Sequence, residues 1–223
     1  MLQKKSVRES FWNLLKELQH SNVFDNYFLV GGTALSLQLG HRVSDDIDLF
    51  TRYDINKDEI LDFLSKNYGG NYQIINIQNI IMQVIINDIK VDFVKYNHDL
   101  IEEIKEEDGI KYLGINDIAA MKLMALANRG DQAKDFYDIY YLLEKISLKD
   151  MFEYYKAKYK QNDISIIKRS IVYFDDVTDS NWLAVKLLKD KVSVEQLKQK
   201  IIDELNLYNK IILGNIEYKP NST

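Results

Sequence analysis

The 223-residue chain has no cysteine, which excludes a disulfide framework and any thiolate metal site and fits a reducing compartment. It has a single proline, Pro220, and no Ser/Gly-rich stretch, so no linker marks a domain boundary. No apolar run approaches the ~18 residues needed to cross a bilayer. The N-terminal MLQKKSVRESFWNLLKELQH lacks the apolar core of a signal peptide and reads as an amphipathic helix. Internal repeats and low-complexity tracts are absent as well. These absences predict a cytoplasmic protein with no membrane partner.

The apolar content of 46% and charged content of 28% are ordinary for a soluble globular chain. The length suits one domain with a real core, or one domain with a helical appendage. Charge is uneven. Residues 1–144 carry 15 Lys/Arg against 23 Asp/Glu, and residues 145–223 carry 14 against 11. Solvated helix faces are the simpler reading of the mildly basic second half, and a polyanionic partner there stays open.

The first 115 residues mix helix and strand signals. Helices are expected over 6–20, 33–39 and 57–66, and strands over 27–30 and 46–51. Two Ile/Val-rich runs, NYQIINIQ and IIMQVII, meet near Asn79, and Asn87-Asp88 turns into IKVDFVKY, as in a meander that completes a sheet. From about residue 116 the pattern is helical throughout. Asn116 is placed to cap IAAMKLMALANR, Gly130 to close it, and Asp131 to cap QAKDFYDIYYLLEK. Further helices are expected over 150–160, 164–172 and 193–211. The predicted class is α+β. Residues 1–115 form an α/β catalytic domain and 116–223 a helical C-terminal region, with packing of the two as one unit left open.

The stretch GGTALSLQLGHRVSDDIDL at residues 31–49 carries the most chemistry. Gly31-Gly32 follows an apolar strand and opens a helix whose first amides are available to an anion. Asp46 and Asp48 alternate with Ile47 and Leu49, so both carboxylates face one side of a strand, roughly 7 Å apart along it. Paired acids on a rigid strand beside a glycine turn suit a Mg²⁺–nucleotide site. Asp45 caps or solvates the turn. Ser44 either donates to a phosphate or caps the same turn, Arg42 could meet phosphate charge, and His41 reads as structural. Asp92, in KVDFVKY, alternates in the same way. It would supply the third carboxylate that two-metal phosphoryl chemistry uses.

Further along, Lys122 and Arg129 share a helix face, and Lys134, Asp135 and Asp138 line one edge of the next helix. Taken alone these read as an exposed ion pair, and Tyr137, Tyr140 and Tyr141 beside them read as packing.

The order GGTALSLQLGHRVSDDIDLF, VDFV, KLMALANRGDQAKDFYDIYYLL resembles the AbiEii/AbiGii toxin family of nucleotidyltransferases, relatives of the polymerase-beta superfamily, over residues 25–145. The resemblance implies a polymerase-beta-like fold, a mixed sheet with flanking helices, followed by a helical C-terminal part. It implies that Gly31, Gly32 and Ser44 bind nucleotide phosphates and that Asp46 and Asp48 hold metal. Asp92 becomes the third carboxylate, the one that activates the incoming hydroxyl. Lys122, Lys134, Asp135 and Asp138 match the family's additional motif near the nucleotide. Arg42 and Arg129 are expected as further nucleotide contacts. Family members include toxins of abortive-infection and toxin–antitoxin systems, and some add nucleotides to the acceptor end of tRNA.

The expected activity is therefore transfer of an NMP from an NTP to an acceptor hydroxyl with Mg²⁺ or Mn²⁺. RNA, tRNA first, is the expected acceptor and a cognate antitoxin the expected partner. Transfer to a protein or small molecule, or a non-catalytic nucleotide-binding subunit, are the alternatives.

Overall fold

A computed structural model describes residues 1–189 and 191–214, so the last part of the expected C-terminal region lies outside the described residues. Helix α1 (Glu9–Gln19) buries Phe11, Leu14, Leu15 and Leu18, the i, i+3, i+4, i+7 stripe of an amphipathic helix. Strand β1 (Tyr27–Leu29) is buried along its whole length and runs into α2 (Gly31–Leu39). Gly40, at φ 64°, closes that helix in the left-handed conformation that favours glycine, and its N–H reaches Ser36 O at 2.8 Å. Strand β2 (Asp46–Thr51) alternates half-buried and buried residues, with Ile47 and Leu49 fully enclosed. Helix α3 (Lys57–Tyr68) begins where the Asn56 side chain accepts the Glu59 N–H at 3.3 Å.

Strands β3 (Tyr72–Gln78), β4 (Ile81–Ile86) and β5 (Ile89–Lys95) form an antiparallel meander. Asn87 and Asp88, at φ 48° and 62°, make its second turn with the two positive φ angles of a hairpin whose twist matches its strands. A short hairpin, β6 (Lys105–Glu107) and β7 (Ile110–Tyr112), completes a seven-stranded sheet in the order β3-β4-β5-β2-β1-β7-β6. The hairpin is absent from the sequence expectations. The sheet is mixed: β2–β5 and β1–β7 are parallel and the other pairs antiparallel. With the flanking helices, the class is α+β. Phe24 stacks on Phe93 at 5.0 Å, and Tyr27 and Phe63 meet Phe24 edge-on, filling the core behind the sheet.

The chain separates into two compact units, the first holding residues 1–98 and 103–114, the second holding 99–102 and the residues from Ile115 onward. In the second unit, α4 (Ile115–Asn128), α5 (Ala133–Leu142), α6 (Leu148–Tyr159), α7 (Ser165–Ser170), α8 (Asp179–Ala184) and α9 (Val194–Ile212) pack together. Fully buried Asp117 accepts the N–H groups of Ile101 and Glu102 at 3.0 and 3.1 Å and pairs with fully buried Lys158. Lys158 also donates to Asp99 O at 3.1 Å, so residues 99–102 are tied into the helices by charge on both sides. Phe136 packs on Phe174 and Trp182, and Tyr137 meets Trp182 edge-on, in keeping with packing tyrosines.

Three expected caps are replaced. Helix α4 starts before Asn116, whose N–H is satisfied by the Glu102 carboxylate at 3.2 Å, a partner distant in sequence. Gly130 is not among the residues with positive φ and lies beyond the end of α4 rather than closing it. Asp131 accepts from the Gln132 side chain instead of capping α5, whose N-cap residue is Gln132. Among the described residues, no helix is long and apolar enough to cross a membrane.

Candidate active site

The site begins at the junction of β1 and α2. Gly31 has φ 69°, and a Cβ there would stand 2.6 Å from Asp48 Oδ2. An L-side chain is therefore excluded twice, by backbone conformation and by the carboxylate. The Val30 N–H donates to Asp48 O at 2.9 Å, which fixes the turn against β2. One turn into α2, buried Thr33 Oγ1 donates to Asp46 O at 2.5 Å and shares a 2.8 Å hydrogen bond with Ser44 Oγ. The first amides of α2 are thus held beside the strand that carries both acids, at the helix end where the macrodipole favours an anion.

Asp46 and Asp48 point to the side of β2 opposite Ile47 and Leu49. On the adjacent parallel strand, Asp46 is in register with Lys90 and Asp48 with Asp92, so these four side chains share one face of the sheet. Asp92 Oδ2 accepts from Lys90 Nζ at 2.8 Å and from Gln83 Nε2, on β4, at 2.9 Å. Gln83 Oε1 in turn accepts from Asn76 Nδ2, on β3, at 3.3 Å. Asp92 Oδ1 is buried without a hydrogen-bond partner. Burial opposes charge on Lys90, but its hydrogen bond to Asp92 and the fields of Asp92, Asp48 and Asp46 outweigh it and raise its pKa.

Among the described residues, no group of three or more His, Cys, Asp or Glu side chains is arranged, as it stands, to hold a metal ion. The donor chemistry nonetheless fits one. Asp46, Asp48 and Asp92 offer carboxylate oxygens alone, the set preferred by Mg²⁺ and Mn²⁺, and the orphaned Asp92 Oδ1 has lone pairs to give.

Two residues named for phosphate turn inward. Arg42 is buried and its Nη1 donates to Val43 O at 3.0 Å. Ser44 is buried too, with its hydroxyl engaged by Thr33 and its N–H by Ser6 O at 2.9 Å. His41 is fully enclosed, as a structural histidine would be.

In the helical unit, Lys122 on α4 reaches across to α5, where its Nζ lies 2.6 Å from Asp135 Oδ1 and 2.5 Å from Asp138 Oδ2. Both carboxylates are fully buried, so the exposed ion pair expected along the edge of α5 is instead a buried cluster between two helices. Arg129, at the end of α4, keeps 59% of its side chain exposed and brings Nη2 to 3.8 Å from Asp135 Oδ2. Lys134 is half-buried on α5.

Lys90, Gln83, Asn76 and Thr33 escaped the sequence reading. For Lys90 and Gln83 a signal existed. In IKVDFVK and IIMQVII each alternates with buried apolar residues, which puts it on the Asp92 face.

The family model for the nucleotidyl transferase AbiEii toxin of type IV toxin–antitoxin systems matches residues 13–206. The protein aq_aa25 of Aquifex aeolicus (strain VF5) is 33% identical over 213 residues, covering 91% of this chain and 97% of that protein. The crystal structure of JHP933 from Helicobacter pylori superposes with a TM-score of 0.56 at 20% identity, covering 94% of this chain and 96% of that one, which is a likeness of fold.

Proposed function

The chain belongs to the AbiEii family of nucleotidyltransferase toxins, and on that footing we propose that it moves an NMP from a Mg²⁺-bound NTP to an acceptor hydroxyl, first of all on tRNA. The bond from the acceptor oxygen to the α-phosphorus forms as the bond to the β-phosphate oxygen breaks, and pyrophosphate leaves. The observation that carries this reading is the shared sheet face of Asp46, Asp48 and Asp92 beside the Gly31 turn. The family implies an NTP substrate and a cognate antitoxin.

Asp46, Asp48 and Asp92 would hold Mg²⁺ or Mn²⁺, which supplies positive charge against the phosphates and lowers the pKa of a bound hydroxyl. The chain's own contributions follow from position. The amides of Gly31 and Gly32 at the start of α2 bind phosphate oxygens, and the absence of a side chain at Gly31 permits close approach. Asp92, steadied at Oδ2 by Lys90 and Gln83 with Oδ1 left for the metal, helps deprotonate the acceptor hydroxyl. Arg42 and Ser44 serve the turn that carries Asp46. Lys122, Asp135 and Asp138, with Lys134 and Arg129, are the second element required for activity.

The test is incubation with labelled NTPs, Mg²⁺ and total tRNA, repeated with Asp46→Ala/Asp48→Ala. Label enters RNA with the parent protein and is lost in the double variant. Label transfer that survives the substitutions refutes the assignment, and a labelled protein band in place of RNA moves the acceptor to a protein. NTP binding without turnover on any acceptor would make the chain a nucleotide-binding subunit.

A further inference from the structure

A lysine stands inside the carboxylate face. Asp46 and Lys90, Asp48 and Asp92 form a square across β2 and β5, so one corner of an otherwise acidic group is a cation. Its ammonium donates to Asp92 Oδ2, which also receives Gln83, and Gln83 is fixed by Asn76 on the edge strand. Asp92 is consequently gripped through one oxygen. Lys90 Nζ lies 2.8 Å from Asp92 Oδ2 and its side chain shares the sheet face with Asp46 and Asp48. A divalent ion attracted to this face would enter a field that already holds one positive charge.

We infer that Lys90 is the internal counter-cation of the site and the positioning residue of Asp92. It offsets the mutual repulsion of the carboxylates in the metal-free protein, and a divalent ion binds against its charge. This rests on the reading of Asp46, Asp48 and Asp92 as the metal-holding set. The consequence is coupling. Metal alone is held weakly, and the triphosphate, by adding negative charge beside Lys90, draws the ion in with the nucleotide. Lys90 thereby links metal retention to substrate.

The experiment is a Mn²⁺ titration of the purified full chain, first without nucleotide and then with NTP, with unbound Mn²⁺ read by electron paramagnetic resonance. Lys90→Met keeps most of the length of the side chain and removes its charge, Lys90→Gln removes the charge with a polar end, and Lys90→Arg keeps the charge. Both neutral variants bind Mn²⁺ about thirtyfold more tightly, the factor for relieving a divalent ion of a unit positive charge at about 4 Å at water's dielectric constant. Lys90→Arg keeps the parent affinity. In thermal melts, metal-free Lys90→Met unfolds at a lower temperature than the parent and gains more from Mn²⁺, which separates the charge effect from a folding defect. Mn²⁺ bound by the parent with unchanged or weaker affinity in both neutral variants overturns the role of Lys90 and leaves the metal reading standing. Mn²⁺ bound by no protein, with or without NTP, overturns both.

Discussion

Substituting Gly31 by alanine separates two costs that meet at one atom. The first is conformational. An L-residue at φ 69° costs about 1–2 kcal/mol relative to glycine. The second is steric and falls on the chemistry, because the new Cβ would lie 2.6 Å from Asp48 Oδ2. Reaching ordinary contact at 3.4 Å moves that oxygen or the α2 turn by about 0.8 Å. A displacement near 1 Å in a catalytic constellation costs on the order of 100-fold in rate. Gly31→Ala therefore loses about 1–2 kcal/mol in urea unfolding and about 100-fold in nucleotidyl transfer.

Gly40→Ala is the control. It has a similar φ, 64°, and its Cβ would meet Gln3 Cγ at 2.9 Å and Gln3 Cβ at 3.2 Å, a half-buried side chain instead of a candidate ligand. Its stability loss is comparable and its activity stays at the parent level. Gly32→Ala completes the set, since Gly32 lies in α2 outside the residues of positive φ, so a loss there reports on the approach of ligand to backbone. Full transfer activity in a folded Gly31→Ala protein would refute the placement of Asp48 in the chemistry.

Lys122→Met removes the cation shared by two fully buried carboxylates, Asp135 and Asp138, while Arg129 stays 3.8 Å from Asp135. The expected loss is about 3–5 kcal/mol by denaturant titration, and a loss below about 1 kcal/mol would mean that the cluster is hydrated after all. A second expectation concerns alkaline pH. Burial, reinforced by the charge of Glu59, pushes the Tyr27 phenol up to about 12. Below the usual phenol pKa of about 10 both folded and unfolded chains carry it neutral, so its contribution is fully present there. Between those values the unfolded chain ionises while the folded chain does not, and stability falls as pH rises. Tyr27→Phe makes that decline shallower, with Tyr68, also raised by burial and by Glu17, still contributing; identical slopes for parent and variant would contradict the buried phenol.

The elements that were legible in the sequence are those whose pattern and partners are local. Strand 46–51 shows the period-2 alternation of a half-buried strand and matches β2 to the residue. The Asn87-Asp88 turn shows because both residues tolerate positive φ. The β6–β7 hairpin carried the same kind of signal in Asp108-Gly109, at φ 56° and 75°, but three-residue flanks reading KEE and IKY gave no alternation long enough to detect. The misplaced caps failed for the opposite reason. At α4 the first-turn N–H of Asn116 found Glu102, fourteen residues away, so a tertiary carboxylate did what Asn116 was expected to do.

The candidate site divides along the same line. Two carboxylates on one strand face follow from alternation alone, and their conjunction with Asp92 follows once β5 is laid parallel to β2, which places Asp48 opposite Asp92. The burial of Lys122 does not follow in this way. Spacing along α4 and α5 says which residues share a face of each helix, but not which face of one helix covers the other, and that alone turns a surface ion pair into a buried one. Lys90 sits between these cases. Its alternation was visible, and the physical need for it could have been inferred, because three like charges on adjacent strands repel and a fold that gathers them requires a compensating group nearby. A basic residue two positions before the third acid, on the same strand face, meets that need through the backbone pattern itself, without any contact that sequence cannot reveal.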